Sequence, residues 1–312
     1  MKEKKAYLFP SNGLGDAFIF TICANQLHKK GYSVYLFHDS FEPFNKIFPY
    51  LKINKIPTTK QLHTLIKNVD IVILQNDNSN KAKILKNLKK DKLIENLVIF
   101  YISKKNKIDQ IEKNDFLFNR DTTVIENISN AISKLLNVKK SSEIGLILPG
   151  NLIHKKNKKR ILINPTSRNF DKSWCLKRFI SLYIKMKKNK LEPIFIMSLA
   201  EKEFFKNRYK NEKINIFATD DILKLFCFVF ESNYLIGNDS LLGHIASYLK
   251  IPTLIIAKDY KNMRLWRPGW MKGKIITTSK YIPNIKFCRL RSNHWQKFIS
   301  TQKVYKTFLN KF

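Results

Sequence analysis

Residues Ala6–His38 read AYLFPSNGLGDAFIFTICANQLHKKGYSVYLFH, and their order decides the fold class. Ala6–Phe9 is a short apolar run, Pro10–Asp16 a glycine-bearing loop, Asp16 to about Lys30 a helix, and Tyr32–His38 a second apolar run. Gly31 stands where a helix is commonly stopped by a left-handed residue. The near-continuous apolar character of both runs suits strands in a sheet covered on both faces. Strand, helix, strand in this order predicts a parallel βαβ unit.

The pattern continues outward. Asp70–Gln75 and Asn96–Ile102 read as further strands, and Thr122–Leu136 as a helix with Val124, Ile128, Ile132 and Leu135 on one stripe. Val138–Arg160 breaks the rhythm with Pro149-Gly150 and a basic run from Lys155 to Arg160, and is read as an inter-domain connection. The alternation then restarts. Strands are predicted at Ile161–Asn164, Pro193–Met197, Ile214–Phe217, Tyr234–Gly237 and Thr253–Ala257, with helices at Leu176–Lys188, Glu201–Tyr209, Ile222–Glu231 and Leu242–Leu249. The expectation is an α/β chain of two Rossmann-like parallel-sheet domains, residues 1–150 and 151–312, facing each other across a cleft. A last apolar stripe at helical spacing (Trp295, Phe298, Ile299, Tyr305, Phe308, Leu309, Phe312) is expected to pack on the protein, with the N-terminal domain as one possible seat. A membrane-interface helix is the alternative.

Composition narrows the function classes. At 44% hydrophobic residues the chain can bury a core, which sets it apart from a disordered polycation. No apolar run reaches the roughly 18 to 20 residues of a membrane-spanning helix, and the start of the sequence lacks a signal-peptide pattern. Cys23, Cys175, Cys227 and Cys288 are far apart, with no metal-ligand spacing, and read as reduced thiols of a cytosolic protein. The net charge of +34 creates a positive field that favours acidic substrates and anionic membranes. Biased Lys and Asn usage explains part of it, and a nucleic-acid partner is a further reading. No RNA-recognition or helix-turn-helix pattern supports that partner.

Four stretches read as loops at strand ends, where open α/β sheets bind ligands. In Pro10–Asp16, Gly13 and Gly15 allow a tight turn beside Asn12. Asp16 is then either a helix N-cap or a carboxylate base kept ionised by the helix N-terminus. Asn164–Trp174 offers hydroxyls, Arg168 and Lys172 at a helix start, suited to an anion. Gly237–Ala246 runs from a strand through Asp239-Ser240 into a helix carrying His244, and a lone histidine of this kind is more often structural than catalytic. Arg264–Trp270 mixes cations and aromatics, as an acceptor groove or a surface loop.

With these motifs in order, the sequence resembles the ADP-heptose:lipopolysaccharide heptosyltransferase family, glycosyltransferase family nine. The resembling segments are LGD at Leu14–Asp16, the block Thr166–Trp174, SLAEKE at Ser198–Glu203 and NDSxxxH at Asn238–His244. The resemblance implies a GT-B fold and an inverting transferase that needs no metal or other cofactor. Asp16 would deprotonate the acceptor hydroxyl. Thr166, Ser167 and Lys172 would hold donor phosphates and sugar, Glu201 the nucleoside, and Asp239, Ser240, Leu241 and Leu242 the diphosphate, with His244 beside them. Asn12, Gly13, Gly15, Arg264 and Arg267 would face the acceptor.

Leu241 replaces the family's turn glycine, Asn169–Asp171 carries an extra residue before Lys172, and Glu203 stands two places from Glu201. The implied partners are a nucleotide-sugar donor, a phosphorylated lipopolysaccharide-core acceptor and the anionic inner-membrane surface, with no nucleic acid. The implied location is cytoplasmic and peripheral to that membrane. A non-enzymatic polyanion-binding protein and a glycosyltransferase with a protein acceptor are the alternatives.

Overall fold

The computed structural model describes residues 3–67, 69–103, 111–167, 173–209, 213–285 and 288–310. The chain divides into two compact units, Met1–Ile147 and Leu148–Phe312. Unit 1 runs β1 (Lys4–Phe9), α1 (Leu14–Lys29), β2 (Tyr32–Phe37), β3 (Leu51–Asn54), α2 (Thr59–Ile66), β4 (Ile71–Asn76), α3 (Asn80–Lys90), β5 (Leu97–Tyr101), β6 (Phe116–Leu117) and α4 (Val124–Leu136). Unit 2 continues with β7 (Asn157–Asn164), α5 (Leu176–Lys188), β8 (Glu192–Met197), α6 (Leu199–Arg208), β9 (Ile216–Ala218), α7 (Ile222–Phe230) and β10 (Ser232–Asn238). It ends with α8 (Leu241–Tyr248), β11 (Thr253–Ile256), α9 (Tyr260–Trp266), β12 (Lys274–Ile276), α10 (Leu290–His294) and α11 (Thr301–Leu309).

Each unit is built on a six-stranded sheet, in the orders β3-β2-β1-β4-β5-β6 and β12-β11-β10-β7-β8-β9. Every pairing between named strands is parallel. Numbered from its own first strand, each sheet has the doubly wound order in which the direction of winding reverses once. The reversal falls between β1 and β4 in unit 1, and between β7 and β10 in unit 2. Right-handed crossovers send the helices after these two neighbouring strands to opposite faces, which leaves a crevice at their carboxyl ends.

Local sequence explains the frame. The strands are apolar because both faces are covered: all five residues of β5 are buried. Gly31 has φ +81°, as the helix stop requires. Gly237 pairs in register with Asn164 across the reversal point of unit 2. A Cβ at Gly237 would lie 2.8 Å from Asn164 Cβ and 2.9 Å from its carbonyl oxygen. Only glycine lets β10 and β7 approach this closely.

The sequence reading is corrected in four places. β3, α2, α3, β6, α9 and β12 are elements it did not assign. Four of the six residues of the basic run taken as connection are strand, because β7 begins at Asn157. Arg264–Trp266 belongs to a helix, with Met263 and Leu265 buried, where a loop was expected. The C-terminal stripe is broken into a 3-10 turn, Trp295–Phe298, and α11, capped by Ser300.

Most of that stripe is buried in its own unit: Trp295, Ile299, Tyr305 and Phe308, with Val304, belong to one core with Trp174, Phe179 and Tyr183, while Phe298 and Leu309 stay exposed. Phe312 lies outside the described residues. The four cysteines are free, and burial pushes the Cys23 thiol well up.

Gly237→Ala is expected to lower the unfolding free energy of the protein by about 1–3 kcal/mol, the range for overpacking. Gly150→Ala, where an added Cβ meets nothing within 4 Å, is expected to stay within about 0.5 kcal/mol. Urea unfolding of the two variants checks the difference; equal effects would contradict the close approach of β7 and β10.

Candidate active site

In unit 2 two asparagines span the crevice, one at the end of each strand flanking the reversal. Asn164, the last residue of β7, accepts from Ser240 Oγ at 2.8 Å and donates to Thr166 Oγ1 and to the Ile196 carbonyl, each at 3.3 Å. Asn238, the last residue of β10, accepts from the Trp174 amide at 2.8 Å and donates to the Pro165 carbonyl at 3.0 Å. The loop leaving β7 and the turn leaving β10 are therefore tied to each other at both ends. The side chains of Ser167 and Ser173 meet at 2.8 Å, joining the residues on either side of 168–172. Trp174 anchors the far end, 1% exposed, with its indole N–H on the Ile299 carbonyl at 2.9 Å.

The helix starts around this crevice differ. α6 is closed by a capping box, in which Ser198 Oγ accepts the Glu201 amide and Glu201 Oε2 accepts the Ser198 amide at 2.8 Å. α9 is capped by Asp259. Ser240, at the N-cap of α8, makes no side-chain cap, because its hydroxyl is turned toward Asn164. Its first-turn amides and the helix dipole favour an anion. Leu241 is half-buried and Leu242 buried, so the turn lacks the open approach a glycine would give.

His244 sits in α8, 5% exposed, with Nδ1 buried and no hydrogen-bond partner among the described residues. Burial pushes its pKa down to about 4. A neutral imidazole is a weak candidate for balancing phosphate charge at neutral pH.

In unit 1 the corresponding crevice lies between β1 and β4. The Ser11 amide donates to Gln75 Oε1 at 3.2 Å, joining the loop after β1 to β4. Asn12 is held at both backbone atoms: its amide donates to Asp77 Oδ2 and its carbonyl contacts His38 Nε2, each at 3.2 Å. His38 Nδ1 accepts the Ser40 amide, so the ring proton is on Nε2. Asp16 is the third residue of α1 and half-buried. A Cβ at Gly13 would run into the Asp16 carboxylate, which lies folded back over that glycine. Gly13 has an ordinary φ of −80°, so its role is room and not backbone freedom. The buried hydroxyl of Ser11 and amide nitrogen of Gln75 have no hydrogen-bond partner among the described residues.

Most of the sequence-predicted residues thus fall into two sets. Thr166, Ser167, Asp239, Ser240, Leu241, Leu242 and His244 gather at the β7/β10 crevice. Glu201 stands one strand out, after β8, with its carboxylate engaged in the cap. Arg264 and Arg267, assigned to the acceptor, are on α9 and at its C-terminal end, in unit 2. Asn12, Gly13, Gly15 and Asp16 lie at the β1/β4 crevice of unit 1. Arg168 and Lys172 lie outside the described residues.

Sequence reasoning quoted Asn164 and Asn238 but missed their roles, and it missed His38, Gln75 and Asp77. A strand-end polar residue beside each motif was the signal. Among the described residues no group of three or more His, Cys, Asp or Glu is placed to hold a metal ion.

No protein-family model and no curated protein matches the sequence. Solved structures match the fold along the whole chain. A glycosyl transferase family 9 protein of Veillonella parvula DSM 2008 aligns with a TM-score of 0.71 and 15% identity, over 99% of this chain and 97% of its own. The ADP-heptose lps heptosyltransferase II of E. coli aligns at 0.68 and 11% identity, over 98% of each chain. The E. coli heptosyltransferase WaaC with ADP aligns at 0.65 and 11% identity, over 98% and 99%. The fold is the two-domain α/β GT-B fold. Its structural neighbours include a glycosyl transferase family 9 protein and heptosyltransferases.

The depressed His244 pKa has a consequence for stability. Above the unfolded value of 6.5 the residue is neutral in both states and contributes no pH dependence. Between pH 6.5 and about 4 the unfolded chain takes up the proton and the folded one does not, so stability falls as pH falls. The slope from this group approaches about 1.4 kcal/mol per pH unit. His244→Gln is expected to remove that component from urea-unfolding energies measured over the window; unchanged slopes would show the imidazole to be solvated.

Proposed function

We propose that this protein is an inverting glycosyltransferase that takes a sugar from a nucleotide-sugar, ADP-heptose first among candidates, and passes it to a phosphorylated lipopolysaccharide-core acceptor. The observation that carries the reading is the pair of asparagine cross-links at the β7/β10 crevice. They bring two hydroxyl-bearing loops and an uncapped helix start to the place where this fold class takes nucleotides. Fold neighbours described with ADP and with ADP-2-deoxy-2-fluoro heptose support the choice of donor.

In this scheme the diphosphate lies on the first-turn amides of α8, beside Asp239, Ser240, Leu241 and Leu242. Lys172, placed there from sequence, adds a point charge. As the glycosidic bond breaks, negative charge grows on the departing diphosphate, and preoriented amides with a cation stabilise it without reorganising. Thr166 and Ser167 orient sugar and phosphate, and Glu201, through its loop, borders the nucleoside. Neutral His244 serves as a packing and hydrogen-bonding neighbour. The acceptor hydroxyl loses its proton to the Asp16 carboxylate as its oxygen attacks the anomeric carbon from the face opposite the leaving group. A carboxylate in the first turn of a helix stays ionised at neutral pH, and its work is to accept a proton as the bond forms.

The net charge of +34 supports an anionic acceptor and attachment to the cytoplasmic face of an anionic membrane. No helix among the described residues is long and apolar enough to cross a membrane.

Calorimetry with ADP-heptose is expected to show binding that ADP competes away, and Asn238→Ala is expected to weaken it at least tenfold. Asp16→Asn is expected to keep donor affinity within about twofold while transfer to a lipopolysaccharide-core acceptor drops by about 10²–10⁴, the range for a lost general base. Gly13→Ala, which displaces the carboxylate, is expected to fall in the same direction. Transfer is expected to persist in excess EDTA. Absence of affinity for ADP-heptose and ADP, together with salt-sensitive binding of single-stranded nucleic acid, would replace this reading with that of a polyanion-binding protein.

A further inference from the structure

Beside Asp16 lies a buried lysine that the scheme above does not use. Lys81, the second residue of α3, is 5% exposed. An ammonium is costly to remove from water unless its charge is answered. Lys89, about two turns further along α3, is answered directly by Asp115 at 2.7 Å and Glu112 at 3.2 Å. Lys81 Nζ instead donates to a neutral oxygen, Asn12 Oδ1, at 2.9 Å.

That bond completes a grip on the loop. Asn12 is held at its amide by Asp77, at its carbonyl by His38 and at its side chain by Lys81. The three holders come from the segment after β4, the end of β2, and α3. Asp77 is itself fixed, its Oδ1 accepting the Ser79 amide at 2.9 Å. Between Asn12 and Asp16 the chain has Gly13, Leu14 and Gly15, two of them without a side chain to pack. Asn12 directly precedes Gly13, the residue over which the Asp16 carboxylate is folded.

The charges around Lys81 come from three elements: Asp77 from its own helix start, Asp39 from the turn after β2, and Asp16 from α1. Burial lowers the lysine's pKa, and these three carboxylates oppose that shift. The coupling is mutual, since the cation that they stabilise also stabilises them in the ionised form.

We propose that Lys81 is a positioning residue for the acceptor-side crevice: it anchors the Asp16 loop through Asn12 and supplies a counter-charge that favours the ionised form of Asp16. It acts through Asp16 and does not touch substrate. The inference rests on the assignment of Asp16 as the base.

The test reads Asp16 directly. In protein labelled with 13C at the aspartate carboxyl carbons, the Asp16 signal is assigned by its loss in Asp16→Asn and followed from pH 3 to 7. Lys81→Met is expected to raise its titration midpoint by about half a unit to one unit, as loss of a nearby opposite charge does. The acid limb of the transfer-rate profile is expected to move up with it. Asn12→Ala, which removes the grip and keeps the charge, is expected to leave the midpoint within about 0.3 units and lower turnover at least tenfold, since small misplacements of a reacting group are costly. If Lys81→Met does not fold, Lys81→Gln, which retains a donor for Asn12, carries the same measurement.

An unmoved Asp16 midpoint in a folded Lys81 variant would overturn the inference, as would wild-type turnover in Asn12→Ala. Full transfer by Asp16→Asn would overturn the base assignment instead, whatever the titration shows.

Discussion

A doubly wound parallel sheet must reverse its direction once, and the cross-linked strand-end loops of this chain are gathered around the two places where it does. Right-handed crossovers leave no choice about where the chain parts. At β7 and β10 the parting strands are also pressed together, since Gly237 leaves no space for a side chain against Asn164. A close backbone pair with diverging loops exposes strand-end polar groups that need partners. Asn164 and Asn238 supply them, and in doing so join the two loops. The crevice is thus held by side-chain amides, which can donate and accept at once, and it leaves the helix start at Ser240 without a cap.

The same topology is used differently in unit 1. There Asn12, in the loop after β1, is bonded to Asp77, His38 and the buried ammonium of Lys81, which feels the charges of Asp77, Asp39 and Asp16. Hydroxyl- and amide-bearing loops suit a phosphate ester at one crevice. A carboxylate held by a fixed loop suits proton acceptance at the other. The chemistry follows from which residues stand at the strand ends and not from the sheets, whose architecture is common to both.

Much of this frame was legible in the sequence because apolar runs and amphipathic stripes are strong signals. α5 falls on the predicted residues Leu176–Lys188, and Gly31 takes the left-handed conformation assigned to it. α3 was illegible for a physical reason. Its sequence, NKAKILKNLKK, looks solvated, yet its buried face includes Lys81 and Lys89 alongside Ala82 and Leu85. A lysine buried against carboxylates distant in sequence breaks the hydrophobic period that marks a helix. β3, β6 and β12 are short outer strands of two to four residues, too brief for a pattern. The C-terminal stripe was visible, but not Ser300, whose cap restarts the helix and turns the stripe into core. At the site, the motifs around Asp16 and Asp239 stood out through their glycines and turn residues. The asparagines and the lysine that hold them did not, because the bonds that tie the loops together span 64 to 76 residues.

Hydrogen–deuterium exchange of the intact protein with and without ADP-heptose tests the central claim most directly, since the proposed diphosphate site is built on backbone amides. The account predicts slowed exchange concentrated in residues 165–174 and 239–244, with the edge strands of both sheets unchanged. Protection elsewhere, with the amides after Asn164 and Asn238 exchanging as fast as in the free protein, would contradict it.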